Sequence, residues 1–207
     1  MPDPRSLLPH VPVLVAGAGT ALWLGADGTV ETLSPKEALG RARQGPPMVC
    51  HAPALARRLG GDPFPAYDVL ELFAFTRPAQ FCLPTPRGLA ATAGLDAPIA
   101  LADQAMALRE AALTLLAELA RADYPRIAEA AAIARRMADQ GWIWGAAVGL
   151  ALGEAPRASR LDIWNRLPEW TEHAPEPPPG HFAVDPDEAR ARLAALLGAD
   201  AEARPQQ

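Results

Sequence analysis

The chain has 207 residues, half of them hydrophobic, and a formal net charge of −5. This length is enough for one well-packed domain or a domain with an appendage. The acidic balance argues against strong autonomous binding to DNA or RNA, but it leaves a local basic patch possible. Lys36 is the only lysine and does not follow a glycine. The sequence therefore excludes a phosphate-binding loop of the type G-x-x-x-x-G-K-[ST].

The cysteines and the amino-terminal residues indicate the compartment. Cys50 and Cys82 are far apart and lack the C-x-x-C spacing of a zinc or redox site. They are typical of buried thiols in a reducing compartment. The first residues do not resemble a signal peptide, and no uncharged apolar run is long enough to span a bilayer. We therefore expect a cytoplasmic protein without a membrane partner or a bound metal.

The first third of the chain predicts three strands in an antiparallel meander. Residues 11–17 form a compact apolar run. Residues 21–33 predict two strands joined by a turn at 26–28, where A-D-G is a hairpin signal. A further short strand is predicted over 46–50. A Rossmann fold would instead alternate strand and helix from the outset.

Helix-start signals separate these strands. Ser34, followed by proline and then Glu37, predicts a helix that opens with a capping box. His51 leads into a short helix that glycine ends. Residues 66–75 are ambiguous, and read either as an apolar strand or as a helix capped by Asp68.

The rest of the chain predicts mostly helices. Thr85 caps a short helix that starts with proline, and the longest helix begins near 96–98. Asp123 is the expected cap of the next helix, and residues 141–153 continue as a third apolar segment. The longest helix carries an apolar stripe at helical spacing: Leu101, Ala105, Leu108, Ala112, Leu115 and Leu119.

The expected organisation is an α/β domain over 1–122 and a helical extension over 123–152. A proline-rich linker follows over 153–184, and a final segment over 185–207 opens with a helix capped by Asp185. The linker carries four large apolar residues that could anchor it: Leu161, Trp164, Leu167 and Trp170.

Two residues are candidates for chemistry, each with a structural alternative. His51, after a predicted strand, is either a ligand or general base, or a helix-capping or buried histidine. Asp103 is either part of an active site or a carboxylate that complements the dipole of the longest helix. Four tryptophans could stack on bases, but no basic cluster surrounds them, which favours packing: Trp142, Trp144, Trp164 and Trp170.

The order of elements over residues 11–120 resembles that of the RNase H-like DEDD exonucleases, the DnaQ-like proofreading family. The family's first strand carries D-x-E-T, where this chain has Ala16 and Ala18 in the acidic positions. Its second motif is H-N-x-x-F-D. This chain keeps the histidine as His51 and has Ala56 in place of the acid.

The same resemblance extends to two later positions. Asp68 resembles the acid that opens the family's D-T-L-E-L stretch. The third motif, H-x-A-x-x-D-A, is matched by residues 98–105, with Pro98 in place of the general-base histidine and Asp103 retained. The family binds two metal ions through several carboxylates. The resemblance therefore implies an RNase H-like mixed sheet that has lost catalysis, with His51, Asp68 and Asp103 as relics.

A second resemblance covers the whole chain. Residues 8–17, 49–60, 68–90 and 164–170, with the last six residues, look like the amino-terminal region of bacterial DinG-like, XPD-related ATP-dependent DNA helicases. The tail E-x-R-P-x-Q resembles the helicase Q-motif, which implies that Gln207 would bind the adenine of ATP. The resemblance further implies a helicase motor in cis beyond residue 207, with ATP, Mg²⁺ and DNA as ligands of the full-length parent.

Three functions remain open on these grounds. The leading expectation is an accessory, non-catalytic helicase domain that positions DNA or docks on the motor. The second is a residual metal-dependent 3′–5′ exonuclease that uses Asp103, Asp68 and His51. The third is a stand-alone protein-interaction domain whose anchor is the W-N-R-L-P-E-W segment.

Overall fold

The computed structural model describes residues 4–154 and 185–197. The predicted linker anchors and Gln207 lie outside the described residues. The chain forms two compact units, residues 1–172 and 173–207. The sheet and most of the described helices belong to the first unit.

The first unit contains a five-stranded mixed sheet in the order β3-β2-β1-β4-β5. The pairs β1–β2 and β2–β3 are antiparallel, whereas β1–β4 and β4–β5 are parallel. The predicted antiparallel start of an α/β fold is therefore confirmed. The strands are β1 Val13–Ala16, β2 Ala21–Leu24, β3 Val30–Leu33, β4 Met48–Val49 and β5 Tyr67–Asp68.

Helices precede, separate and follow the strands, and they cover the sheet. The ambiguous stretch 66–75 contains both alternatives, a two-residue strand and then a helix that Asp68 caps. The short α1 was not predicted. The described helices are α1 Pro4–Leu7, α2 Pro35–Gln44, α3 Ala52–Arg58, α4 Val69–Thr76, α5 Pro86–Thr92, α6 Leu101–Leu119, α7 Ile127–Asp139, α8 Gly145–Leu152 and α9 Pro186–Leu197.

Three predicted caps are confirmed by their hydrogen bonds. The Ser34 N–H donates to Glu37 Oε2 at 2.9 Å, and the Glu37 N–H donates to Ser34 Oγ at 3.3 Å. The Gly88 N–H donates to Thr85 Oγ1 at 3.0 Å. In α9, which belongs to the second unit, the Asp185 carboxylate accepts from two backbone N–H groups of the first turn.

Two predicted helix starts are wrong. Asp123 does not cap α7 but pairs with Arg121 at 2.9 Å, and α7 begins at Ile127 after a left-handed Arg126 with φ 55°. The longest helix begins at Leu101 rather than near 96–98. Pro98 and Pro125 disfavour helical backbone in the residues before them, so neither helix includes Ala97 or Tyr124.

The sheet is buried on both faces. Val13 and Val15 of β1 belong to one apolar cluster, and Leu14 and Ala16 belong to the other, as strand alternation requires. The first cluster includes the stripe of α6 with residues of α1, α4, α5, α7 and α8, and the second includes residues of α2 and α3. Within the described residues, no helix is long and apolar enough to cross a membrane.

Candidate functional site

A cleft of about 200 Å³ lies at the carboxyl ends of the neighbouring parallel strands β1 and β4. In the sheet, β1 has β2, the next strand in the sequence, as its neighbour on one side and β4 as its neighbour on the other side. Ligands of open α/β sheets bind at such switch points. The cleft is lined by β1, the residues from Cys50 to the end of α3, the loop before α5 and the first half of α6: Leu14, Val15, Ala16, Cys50, His51, Ala54, Leu55, Arg58, Pro84, Thr85, Pro86, Gln104 and Leu108.

His51 lies just beyond the carboxyl end of β4, directly before α3, and is half-buried. Its side chain forms no capping hydrogen bond to the helix, so the predicted alternative of a capping histidine is not borne out. The neighbouring Cys50 thiol has a pKa raised to about 12, chiefly because it is buried and also because Asp68 is close. Cys50 therefore stays protonated at neutral pH and is a poor nucleophile.

Asp68 lies at the end of β5 and is only 2% exposed. Its carboxylate accepts the Ala52 N–H at 2.7 Å, the Leu70 N–H at 3.0 Å and the Glu71 N–H at 3.3 Å. It therefore holds the starts of α3 and α4 together. Burial raises the pKa of Asp68, while these N–H donors and the nearby His51 act in the opposite direction.

Asp103 is exposed in the first turn of α6, beside the cleft residue Gln104. Its Oδ2 accepts the Ala100 N–H at 3.0 Å, which satisfies a backbone donor at the helix start. A Cβ on Gly17 would lie 3.1 Å from the Leu101 side chain, so the loop after β1 runs against this helix start. The structure thus places Asp103 near the strand ends in a capping role.

Three of the positions that the exonuclease resemblance aligns with an acid or with the general-base histidine hold buried apolar residues in this chain. Ala16 ends β1 and is 5% exposed, Ala56 is fully buried in the second apolar cluster, and Pro98 is also buried. In the described parts of the chain, no group of three or more histidine, cysteine or acidic side chains could hold a metal ion. His51 and Asp68 are close together, but Asp103 does not form a metal-ligand cluster with them.

Arg58 is a cleft residue that sequence reasoning missed. It is exposed in the last turn of α3, and its Nη1 donates to the carbonyl oxygen of Ala16 at 3.1 Å. The two residues are 42 positions apart in the sequence. The pair Arg57-Arg58 suggests only favourable charge at a helix end, so no local signal could have assigned one of the two arginines to the cleft.

The predicted packing roles of two tryptophans are confirmed. Trp144 is fully buried, donates its indole N–H to the Asp68 carbonyl oxygen at 2.7 Å and meets Tyr67 edge-on at 5.0 Å between ring centroids. Trp142 is half-buried against Phe75 and donates to Glu71 Oε2 at 3.1 Å. A fully buried ring has no free face for a base, so Trp144 cannot serve as a stacking platform.

A larger cavity of about 540 Å³ lies away from the strand ends, between the end of α4 and the start of α7. Three of its polar side chains form contacts within the protein. Arg77 pairs with Glu118 at 2.8 Å, and the Tyr124 hydroxyl donates to the Thr76 carbonyl oxygen at 2.8 Å. Burial raises the pKa of Tyr124 to about 12. These contacts join helices, and they make the smaller cleft the better candidate for a site.

Comparison with protein-family models, with curated proteins and with solved structures finds no match for this chain. The cleft and its residues are therefore the basis for a proposed function.

Proposed function

We propose that this chain is an accessory, non-catalytic domain of RNase H-like architecture from a DinG-like ATP-dependent DNA helicase. In this proposal it positions DNA for the motor or docks on the motor, and it works in the cytoplasm. ATP and Mg²⁺ act in the motor of the full-length parent, where Gln207 would belong to the adenine site.

One observation carries the proposal, namely a cleft at the carboxyl ends of β1 and β4 without a lining carboxylate among the described residues. The observed order of elements supports the RNase H-like assignment. An antiparallel meander is followed by a helix, a parallel strand that ends before His51, another helix and later a long helix that starts near Asp103. Two-metal phosphoryl transfer requires several carboxylate oxygens at one place, which argues against retained catalysis.

The helicase assignment is tested by reading the native gene beyond the codon for Gln207. We expect the frame to continue into G-x-x-x-x-G-K-[ST] within a few tens of codons, since that loop would begin the motor. A stop codon directly after Gln207 would contradict the assignment.

The loss of catalysis is tested by incubating the purified chain with end-labelled single-stranded DNA and either Mg²⁺ or Mn²⁺. We expect no shortening of the DNA above a no-protein control. Shortening that Asp103→Ala abolishes would instead support the residual exonuclease. Asp123→Ala, an exposed acid outside the cleft, is the matched control for the change in charge.

A further inference from the structure

The cleft presents nitrogen donors where an exonuclease would present acids. Arg58 forms no ion pair with a carboxylate within the described ranges, and its guanidinium has five N–H donors of which the Ala16 carbonyl accepts one. His51 adds a ring N–H donor at the opposite end of α3. Thr85 and Gln104 add neutral polar groups to the same lining.

Asp68, the buried acidic group near His51, is already engaged. Asp68 is buried and accepts three backbone N–H groups, so its oxygens are not free to pair with Arg58 or to bind a metal ion. Cys50, the other titratable lining group besides His51 and Arg58, is uncharged at neutral pH. The ligand that matches this lining is therefore an anion with several acceptor oxygens.

The volume of the cleft limits the size of that anion. About 200 Å³ is smaller than the roughly 300–1,000 Å³ of sites that enclose whole small molecules. A single phosphate group fits this description better than a complete nucleotide. Guanidinium groups bind phosphate oxygens with two parallel hydrogen bonds, which is a geometry that Arg58 can offer.

We propose that this cleft binds one phosphate group of single-stranded DNA directly, without a metal ion, and that Arg58 is its principal ligand. The proposal rests on the proposed function, because the helicase assignment is what makes DNA the source of the phosphate. The net charge of −5 does not oppose it. Charges farther away than the Debye length of about 8–10 Å are screened at physiological salt, so the local lining decides.

The test is fluorescence anisotropy of a short labelled oligodeoxythymidylate titrated with the full chain. Arg58→Gln is compared with Arg57→Gln, which makes the same change in charge one position away on an exposed residue outside the cleft. We expect Arg58→Gln to weaken binding about tenfold or more and Arg57→Gln to weaken it less than about twofold. For Arg58→Gln, the slope of the logarithm of the binding constant against the logarithm of the salt concentration should become shallower by about 0.7, because one phosphate contact is lost.

Two arms of the same titration need no variant. Chelation of divalent ions with EDTA should leave the dissociation constant unchanged. Inorganic phosphate should compete only at concentrations far above those at which the oligonucleotide binds, because it lacks the flanking phosphates. Equal competition by free phosphate and oligonucleotide would mean that the source is not DNA and would overturn the proposal.

Three further results would also overturn it: no binding by the wild-type chain, binding that needs Mg²⁺, or equal weakening by both substitutions. Thermal unfolding of both variants checks that each one folds. If Arg58→Gln unfolds, Arg58→Lys is measured instead. This substitution keeps the positive charge but loses the planar guanidinium that can form two parallel hydrogen bonds, so it should still weaken binding. If the oligonucleotide does not bind but the gene continues into a helicase motor, the phosphate site is rejected and the helicase assignment stands.

Discussion

The carboxylate of Asp68 ties the starts of two helices to the end of a strand. It receives one N–H from α3 and two from α4, and it is almost fully buried. Asp103 receives a single N–H and is exposed. The two acids that the exonuclease resemblance singles out therefore differ in what they contribute to stability.

We expect Asp68→Ala to lower the free energy of unfolding by about 2–4 kcal/mol, because three N–H donors lose a buried acceptor. Asp103→Ala should cost less than about 1 kcal/mol, since its N–H donor is accessible to water. Urea denaturation followed by circular dichroism measures both. Equal costs would contradict the double-capping role of Asp68.

The pH dependence of stability reports the charge of Asp68. Burial raises its pKa above the ordinary value of 3.8, so between 3.8 and the folded-state pKa the folded chain binds more protons than the unfolded chain. Its contribution to the free energy of unfolding should therefore fall as pH rises through that window. Asp68→Asn should remove this fall. If the wild-type chain instead becomes more stable relative to Asp68→Asn as the pH rises, the hydrogen bonds lower the pKa of Asp68 by more than burial raises it.

Ala79 has a left-handed backbone with φ 65°, beside the larger cavity. Such a conformation is unfavourable for residues with a Cβ and readily adopted by glycine. We expect Ala79→Gly to raise the free energy of unfolding by about 0.5–1 kcal/mol. Ala91→Gly, at an exposed position within α5, should lower it by a similar amount. Thermal denaturation of the pair should therefore give shifts of opposite sign.

At the scale of elements, the short parallel strands depend on the helices that follow them. β4 and β5 have two residues each. Trp144, which leads into α8, donates to the carbonyl oxygen of Asp68 in β5 and packs on Tyr67. Residues beyond 122 thus supply part of the core against which the parallel edge of the sheet is held.

Trp144→Phe should lower the free energy of unfolding by about 2–4 kcal/mol, because it opens a cavity and leaves a buried carbonyl oxygen without its donor. Trp142→Phe should cost about 1 kcal/mol or less, since Trp142 is half-buried and its partner Glu71 is exposed. Chemical denaturation compares the two. A Trp144→Phe cost no larger than that of Trp142→Phe would mean that this contact does not hold the edge of the sheet.

At the scale of the whole molecule, the folded chain should be indifferent to divalent metal ions. The described residues contain no group of three metal-ligating side chains, and a ligand raises stability only if it binds the folded state. We expect neither millimolar Mg²⁺ nor EDTA to change the melting temperature at constant ionic strength. A rise with Mg²⁺ that disappears in Asp103→Ala would instead reveal a metal site.

Local patterns predicted much of this fold because their causes are local. The capping box at Ser34 and Glu37, the hairpin signal at 26–28 and the apolar stripe of α6 each depend on residues a few positions apart. The failures at Asp123 and at the start of α6 arose where proline competes with a capping signal. Of the candidate site, sequence reasoning found His51 and missed Arg58, whose partner Ala16 is distant in the chain.

The sequence by itself determined an α/β chain with an antiparallel start, a later run of helices and no lysine suited to a phosphate-binding loop. Hydrophobic periodicity, turn residues and caps act within a few residues, so they can be read without the fold. Only the tertiary structure decided that Asp68 serves two helix starts, that Trp144 reaches back to β5 and that Arg58 reaches the end of β1. Those contacts join residues 16 to 76 positions apart, and packing alone brings them together.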